Sequence, residues 1–288
     1  MSKNKPIVLS FFDDATNTWS YLVGDPATNK AAIVDPVLDF DYNAARTSLE
    51  SAKQLFDAAK EQGWAVEWIL ETHAHADHLS AAHWLREQTG AQLAIGKGII
   101  DVQRTFQAIY NIVLPERPFD RLLEEGDRFT IGDLEVQVIA TPGHTRDSLT
   151  FVVGDAAFVG DTLFMPDYGS ARCDFPGGDA GMLFDSVKKL HALPDDTRLY
   201  LCHDYPPRGR QPAAMVTVAE SRRNNVHLRD GIDREDFIRM RNARDATLAM
   251  PRLILPSIQV NIRGGQLPQP DDNGTMYLKI PLNAVGGH

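Results

Sequence analysis

His73, His75, Asp77 and His78 place three imidazoles and one carboxylate within six consecutive positions of the segment Glu71–His78. These are the common ligand types for zinc and non-haem iron, and neither a helix ladder nor an apolar core needs them in that register. In an extended loop, side chains two positions apart project to the same side. His73 and His75 are therefore expected to converge on one ion while Asp77 and His78 face a neighbouring position. A solvated polar loop accounts for one histidine, but not for four ligand-type residues together. Three more candidate ligands each follow a predicted strand: His144 in Thr141-Pro142-Gly143-His144, Asp161 in Gly160-Asp161-Thr162, and His203 after Leu199–Leu201.

The elements that must position these residues are legible from periodicity. Ile7–Phe12, Trp19–Val23 and Ala31–Val34 read as an antiparallel opening, with turn residues at Gly24–Asn29. Thr47-Ser48-Leu49-Glu50 has the form of a capping box, and Leu49, Ala52, Phe56 and Ala59 follow at helical spacing until Gly63. A strand from about Val66 to Leu70 then delivers the histidine loop at its C-terminal end, where open αβ sheets place ligands. Ser80–Thr89 and Ile99–Val113 read as helices around a strand Gln92–Ile95. Gly132-Asp133 and Gly154-Asp155 mark hairpins between Arg128–Ile131 and Leu134–Ala140, and between Leu149–Val153 and Ala156–Val159. Gly181–Leu193 behind an Asp179 cap, Val216–Val226 and Arg234–Leu248 read as helices, and an extended Pro-rich tail is expected from Met250 onward.

Composition bounds the function. The chain has 288 residues, 43% hydrophobic and 24% charged, as expected for a globular protein with a sizeable core, and a formal charge of −10 disfavours a nucleic-acid partner. The apolar run Ile7–Phe12 is too short for a signal-peptide core or a membrane span, so a cytoplasmic protein without membrane association is expected. Cys173 and Cys202 lack CxxC spacing and are expected to be packed free thiols. The expected organisation is a catalytic domain over residues 1–226, with 227–288 packed on the same domain; the tail extension through Tyr277–Asn283 is expected either to pack on the sandwich or to join subunits of a homo-oligomer.

The order HxHxDH, Thr-Pro-Gly-His-Thr, Gly-Asp-Thr and a late strand-closing histidine resembles the metallo-β-lactamase superfamily. The resemblance implies an α/β fold, an αββα sandwich of two mixed β-sheets with outer helices and the metal at one edge. It also implies that His73, His75, His144 and Asp161 can form one metal position, and Asp77, His78, His203 and Asp161 a second. Five of the nine histidines fall on those positions, while His83, His191, His227 and His288 match nothing and are expected at the surface or in helix packing.

A narrower likeness covers nearly the whole chain. Thr16–Asp25, Ala32–Val37, His73–His78, Ala171–Phe175 and Cys202–Tyr205 are similar to the persulfide dioxygenase branch. That likeness implies one Fe(II) per chain held by His73, His144 and Asp161. His75, Asp77, His78 and His203 then act as hydrogen-bond partners that orient ligands and position water. Two histidines and one carboxylate on one face leave positions open for O2 and a substrate sulfur. The implied reaction is oxidation of glutathione persulfide by O2 and water to glutathione and sulfite.

The alternative is a glyoxalase II-like hydrolase, in which two Zn(II) ions generate a hydroxide that attacks a glutathione thioester. Every ligand it needs is present, and spacing alone does not fix the metal. The segments Ala171–Phe175 and Cys202–Tyr205 favour the dioxygenase, since the hydrolase usually carries Gly-His-Glu at the late histidine. A non-catalytic metal-binding sensor on the same fold is the third class considered. Glutathione carries two carboxylates, so Arg172, Tyr205, Arg222 and Arg223 are the candidate substrate contacts.

Overall fold

A computed structural model describes residues 5–207 and 209–285; the expectation for His288 falls outside the described residues. Two six-stranded sheets dominate. The first orders Ile7–Asp13, Thr18–Asp25, Lys30–Val34, Ala65–Leu70, Gln92–Gly96 and Arg121–Leu123, antiparallel at first and parallel from Lys30–Val34 onward. The second orders Arg128–Ile131, Leu134–Ala140, Leu149–Val153, Ala156–Phe158, Arg198–Tyr200 and Met215–Thr217, antiparallel except where Ala156–Phe158 pairs with Arg198–Tyr200.

Alternation along the strands builds three cores. Tyr21, Val23, Ala32 and Val34 face inward against Val136, Val138, Phe151 and Phe158 of the other sheet. Their neighbours Leu22, Ala31 and Ile33 face outward onto the helices Glu50–Glu61, Ala82–Thr89 and Ile99–Tyr110. Ala157, Val159, Leu199 and Leu201 do the same on the second sheet, beneath the helix Ala180–His191 and Phe237 of the helix Arg234–Asp245. Side chains alternate faces along a strand, so one sequence register supplies both a sheet–sheet and a sheet–helix core. The result is the αββα sandwich of the metallo-β-lactamase fold. Among the described residues, no helix is long and apolar enough to cross a membrane.

Four local expectations are corrected. Thr47 and Ser48 form no capping box: they lie in the strand Arg46–Ser48, and Asp39 of the adjacent strand Val37–Asp41 accepts the Ser51 N–H instead (3.0 Å). Met215–Thr217 is a strand rather than the start of a helix, because Val216 pairs with Leu199 at the sheet edge. Thr217 then caps the helix Val218–Asn224 through the Glu220 N–H (3.2 Å). The helix begun at Ile99 stops at Tyr110, where Asn111 turns left-handed (φ +48°). The tail is not wholly extended, since Ile254–Asn261 is a buried helix. Pro256 is its third residue, in the first turn, where a missing N–H leaves no helical bond unmade.

Candidate metal centre

Five strand ends meet at one edge of the sandwich. Val34 and Leu70 are parallel partners, so Asp35 emerges beside the loop Glu71–His78. Asp35 adopts φ +49°, and its carboxylate accepts from Thr72 N (2.7 Å), Thr72 Oγ1 (2.9 Å) and His75 Nε2 (3.0 Å). It therefore holds the loop from below. From the second sheet, Ala140 leads to His144, Phe158 to the turn Gly160–Thr162, and Tyr200 to His203. Gly160 is required there: its φ is +55°, and a Cβ would sit 2.6 Å from Thr72 Oγ1, so a side chain would push Asp161 away from the loop.

The ligand-type residues resolve into two clusters. In one, His73, His144 and Asp161 each offer an atom within 4.8 Å of the others; in the second, His75, Asp77, His78 and His203 do so. His75 thus groups away from His73, contrary to the expectation that the two converge on one ion. Its Nε2 is turned to Asp35 and, at 3.4 Å, to Glu71. Hydrogen bonds assign the tautomers. Thr72 Oγ1 donates to Asp35 and so accepts from His73 Nδ1 (3.0 Å), while His144 Nδ1 donates to the Arg172 carbonyl (2.7 Å). Both rings are left with Nε2 lone pairs, 3.9 and 3.6 Å from Asp161 Oδ2.

The donor set fits a cation. His75 Nδ1, His78 Nε2, His203 Nε2 and Asp161 Oδ1 are buried without a hydrogen-bond partner among the described residues. Orphaned buried polar atoms are costly unless an ion or water satisfies them. Imidazole and carboxylate are borderline and hard donors, suited to Fe(II) or Zn(II). Burial and the surrounding imidazoles hold His73 well below the ordinary histidine value, which keeps its lone pair available. Burial opposes charge on His203 as well, but Asp161 and Asp77 carry it well above.

A cavity opens on this edge. His144, Asp161 and Asp77 lie in its wall beside Phe164, Tyr168 and Tyr205. The Tyr205 ring stacks on His203 (5.8 Å between centroids, 16° between planes). Arg172 also lines the cavity, but its guanidinium is already committed to both Asp174 oxygens (2.6 Å each) and the Ala249 carbonyl (2.7 Å). Arg222 and Arg223 do not reach the cavity. Arg222 pairs with Asp195 and Asp230, and Arg223 is exposed outside the lining. Three cations missed from sequence do line it: Arg241, which pairs with Asp245, and Arg244 and Arg252, whose side chains form no hydrogen bond or ion pair among the described residues. No local signal marks the last two, since Arg244 is an exposed arginine in the last turn of a helix and Arg252 an exposed arginine outside any helix or strand. His83, His191 and His227 join neither cluster: His83 lies beside Glu87, while His191 and His227 meet Ser221 and Ser170. Cys173 and Cys202 are buried and free, and burial pushes both thiols up.

Comparison with known proteins agrees with this fold. The family model described as the metallo-beta-lactamase superfamily matches residues 13–203. A probable metallo-hydrolase of Burkholderia pseudomallei is 50% identical, covering 96% of this chain and 99% of its own. The mitochondrial persulfide dioxygenase ETHE1 of Homo sapiens is 31% identical, covering 90% of this chain and 89% of its own. The crystal structure of ETHE1 from Myxococcus xanthus superposes with a TM-score of 0.73 at 32% identity, covering 90% of this chain and all of that one (100%).

Proposed function

The chain belongs to the metallo-beta-lactamase superfamily, and from that premise we propose that it is an iron-dependent persulfide dioxygenase acting on glutathione persulfide. The observation that carries this reading is the compact triad of His73, His144 and Asp161, two of whose members face the cavity. Two imidazoles and one carboxylate on one face suit non-haem Fe(II) with positions left open. The kinship with a named persulfide dioxygenase supports it. In the net reaction, glutathione persulfide, O2 and water yield glutathione, sulfite and two protons.

Fe(II), when bound, supplies the O2 chemistry that no side chain can perform. The chain's own residues orient and exclude. Thr72 and the Arg172 carbonyl fix the tautomers of His73 and His144. Phe164, Tyr168 and Tyr205 give the cavity an aromatic wall that limits water around the persulfide sulfur. Arg244 and Arg252 offer guanidinium groups, unpaired among the described residues, to the glutathione carboxylates. His203 sets its Nε2 3.0 Å from Asp77 beside the cavity.

Anaerobic reconstitution with Fe(II), metal analysis and an oxygen electrode test the reading together. About one iron per chain and O2 consumption matched to glutathione persulfide are expected; no uptake by the iron-loaded protein sinks it. One observation favours a second reading, a binuclear hydrolase of glutathione thioesters: His75 Nδ1, His78 Nε2 and His203 Nε2, without a hydrogen-bond partner among the described residues, are able to hold a further cation. Kinship with a probable metallo-hydrolase points the same way. Two zinc ions per chain with thioester hydrolysis and no O2 uptake would establish it.

A further inference from the structure

Two helices that follow the last ligand candidate reach back to opposite halves of the metal centre. Asn261 ends the helix Ile254–Asn261 and is buried. Its Nδ2 donates to the carbonyls of His75 (2.7 Å) and His78 (2.8 Å), and its Oδ1 accepts the Ser80 N–H (2.8 Å). One carboxamide thus satisfies three backbone groups of the turn that follows His73. Leucine matches its size with no polar atom, and aspartate offers acceptors only. Buried carbonyls that lose their donors are costly. Ile258 and Val260 pack the same helix into the outer core of the first sheet, so the amide is presented from a rigid element.

The helix Arg234–Asp245 does the corresponding work on the other half. Arg241 and Asp245 form a buried ion pair (Nε to Oδ1, 2.9 Å). Asp245 accepts the Cys173 N–H (2.8 Å), and Arg241 donates to the Ser170 carbonyl (3.2 Å). Between those two anchors lies Arg172, whose carbonyl orients His144. Both ligand-bearing segments are therefore held by residues outside the 13–203 match.

We propose that Asn261 is a positioning residue for the metal centre: it fixes the turn His75–His78, and through that turn the loop that carries His73, in the conformation that binds metal. The proposal holds for either metal and either reaction. The test is a titration of the full-length apo protein with Co(II), reading the visible spectrum, the affinity for the first equivalent by chelator competition, and the melting temperature. Asn261→Leu is expected to weaken Co(II) binding about 10- to 100-fold, the usual effect of losing an orienting partner, and to alter the Co(II) spectrum. Ile258→Ala is expected to lower the melting temperature while leaving affinity and spectrum as in the parent. Should Asn261→Leu not fold, Asn261→Asp keeps the acceptor for Ser80, loses the two donors, and is expected to weaken binding likewise. Parental affinity and spectrum in the folded Asn261 variants overturn the proposal. Equal weakening by Ile258→Ala also overturns it, by assigning the effect to helix packing.

Discussion

The two clusters of ligand-type side chains share one loop, yet what stands behind each ring differs. In the triad, His73 and His144 give their Nδ1 hydrogens to neutral oxygens, the Thr72 hydroxyl and the Arg172 carbonyl. In the quartet, His75 faces Asp35 and Glu71, while His203 faces Asp77 and Asp161. Burial opposes charge on both, but the Asp35 carboxylate carries His75 well above the ordinary imidazole value, as Asp161 and Asp77 carry His203. His78 departs from these companions, since burial and the neighbouring His75 lower it to about 4. A ring whose Nδ1 hydrogen goes to a neutral oxygen keeps Nε2 free for a metal, whereas a carboxylate beside a ring favours its charged form and raises its basicity. One sequence motif therefore supplies two kinds of histidine, and the partner behind the ring distinguishes them.

The largest expected effect tests that distinction directly. His73→Ala removes one of two imidazoles from the triad and should leave the protein with little bound metal and activity reduced by more than about 10³-fold. His78→Ala removes a quartet member and should retain metal close to the parental stoichiometry, with the rate lowered roughly 10- to 100-fold. Metal analysis and single-turnover assays of the two variants check the pair. Equal loss of metal from both would erase the difference between the clusters and make the binuclear hydrolase the better account.

What could be read in advance follows the same division between local and distant partners. His73, His144, Asp161 and His203 were legible because each is a ligand type placed directly after a strand, and strand ends gather at one edge of such a sandwich. Strands such as Leu134–Ala140 were legible because one face, with Leu134, Val136 and Val138, packs in the core between the sheets while Glu135 and Gln137 lie on the other, so apolar and polar residues alternate. Asp35 was visible only as part of a segment likeness, and its role depends on the parallel pairing of Val34 with Leu70. Asn261 gave no sign, because its partners lie 183 and 186 residues away and Pro256 masked the helix that carries it. Thr47 misled for the opposite reason: its motif was locally complete, but strand pairing with Phe40 claimed the backbone first.

The contrast between committed and open charges extends to the arginines and gives the smallest effect. Arg172 and Arg222 each engage carboxylates already, Arg172 within the cavity and Arg222 outside it. Arg244 and Arg252 line the cavity with no such partner among the described residues. Both are exposed, so each contact with a substrate carboxylate contributes only about 0.7 kcal/mol, about 1.4 kcal/mol for the two together. The double variant Arg244→Ala/Arg252→Ala should therefore raise KM for glutathione persulfide about tenfold while leaving kcat within about twofold, because the lost contacts are the same before and during reaction. Arg222→Ala should move neither constant. A fall in kcat with unchanged KM in the double variant would place these arginines in the chemistry rather than at the cavity mouth. An effect of Arg222→Ala as large as theirs would mean that charge acts across the whole surface, in which case raising the salt concentration should abolish both effects together.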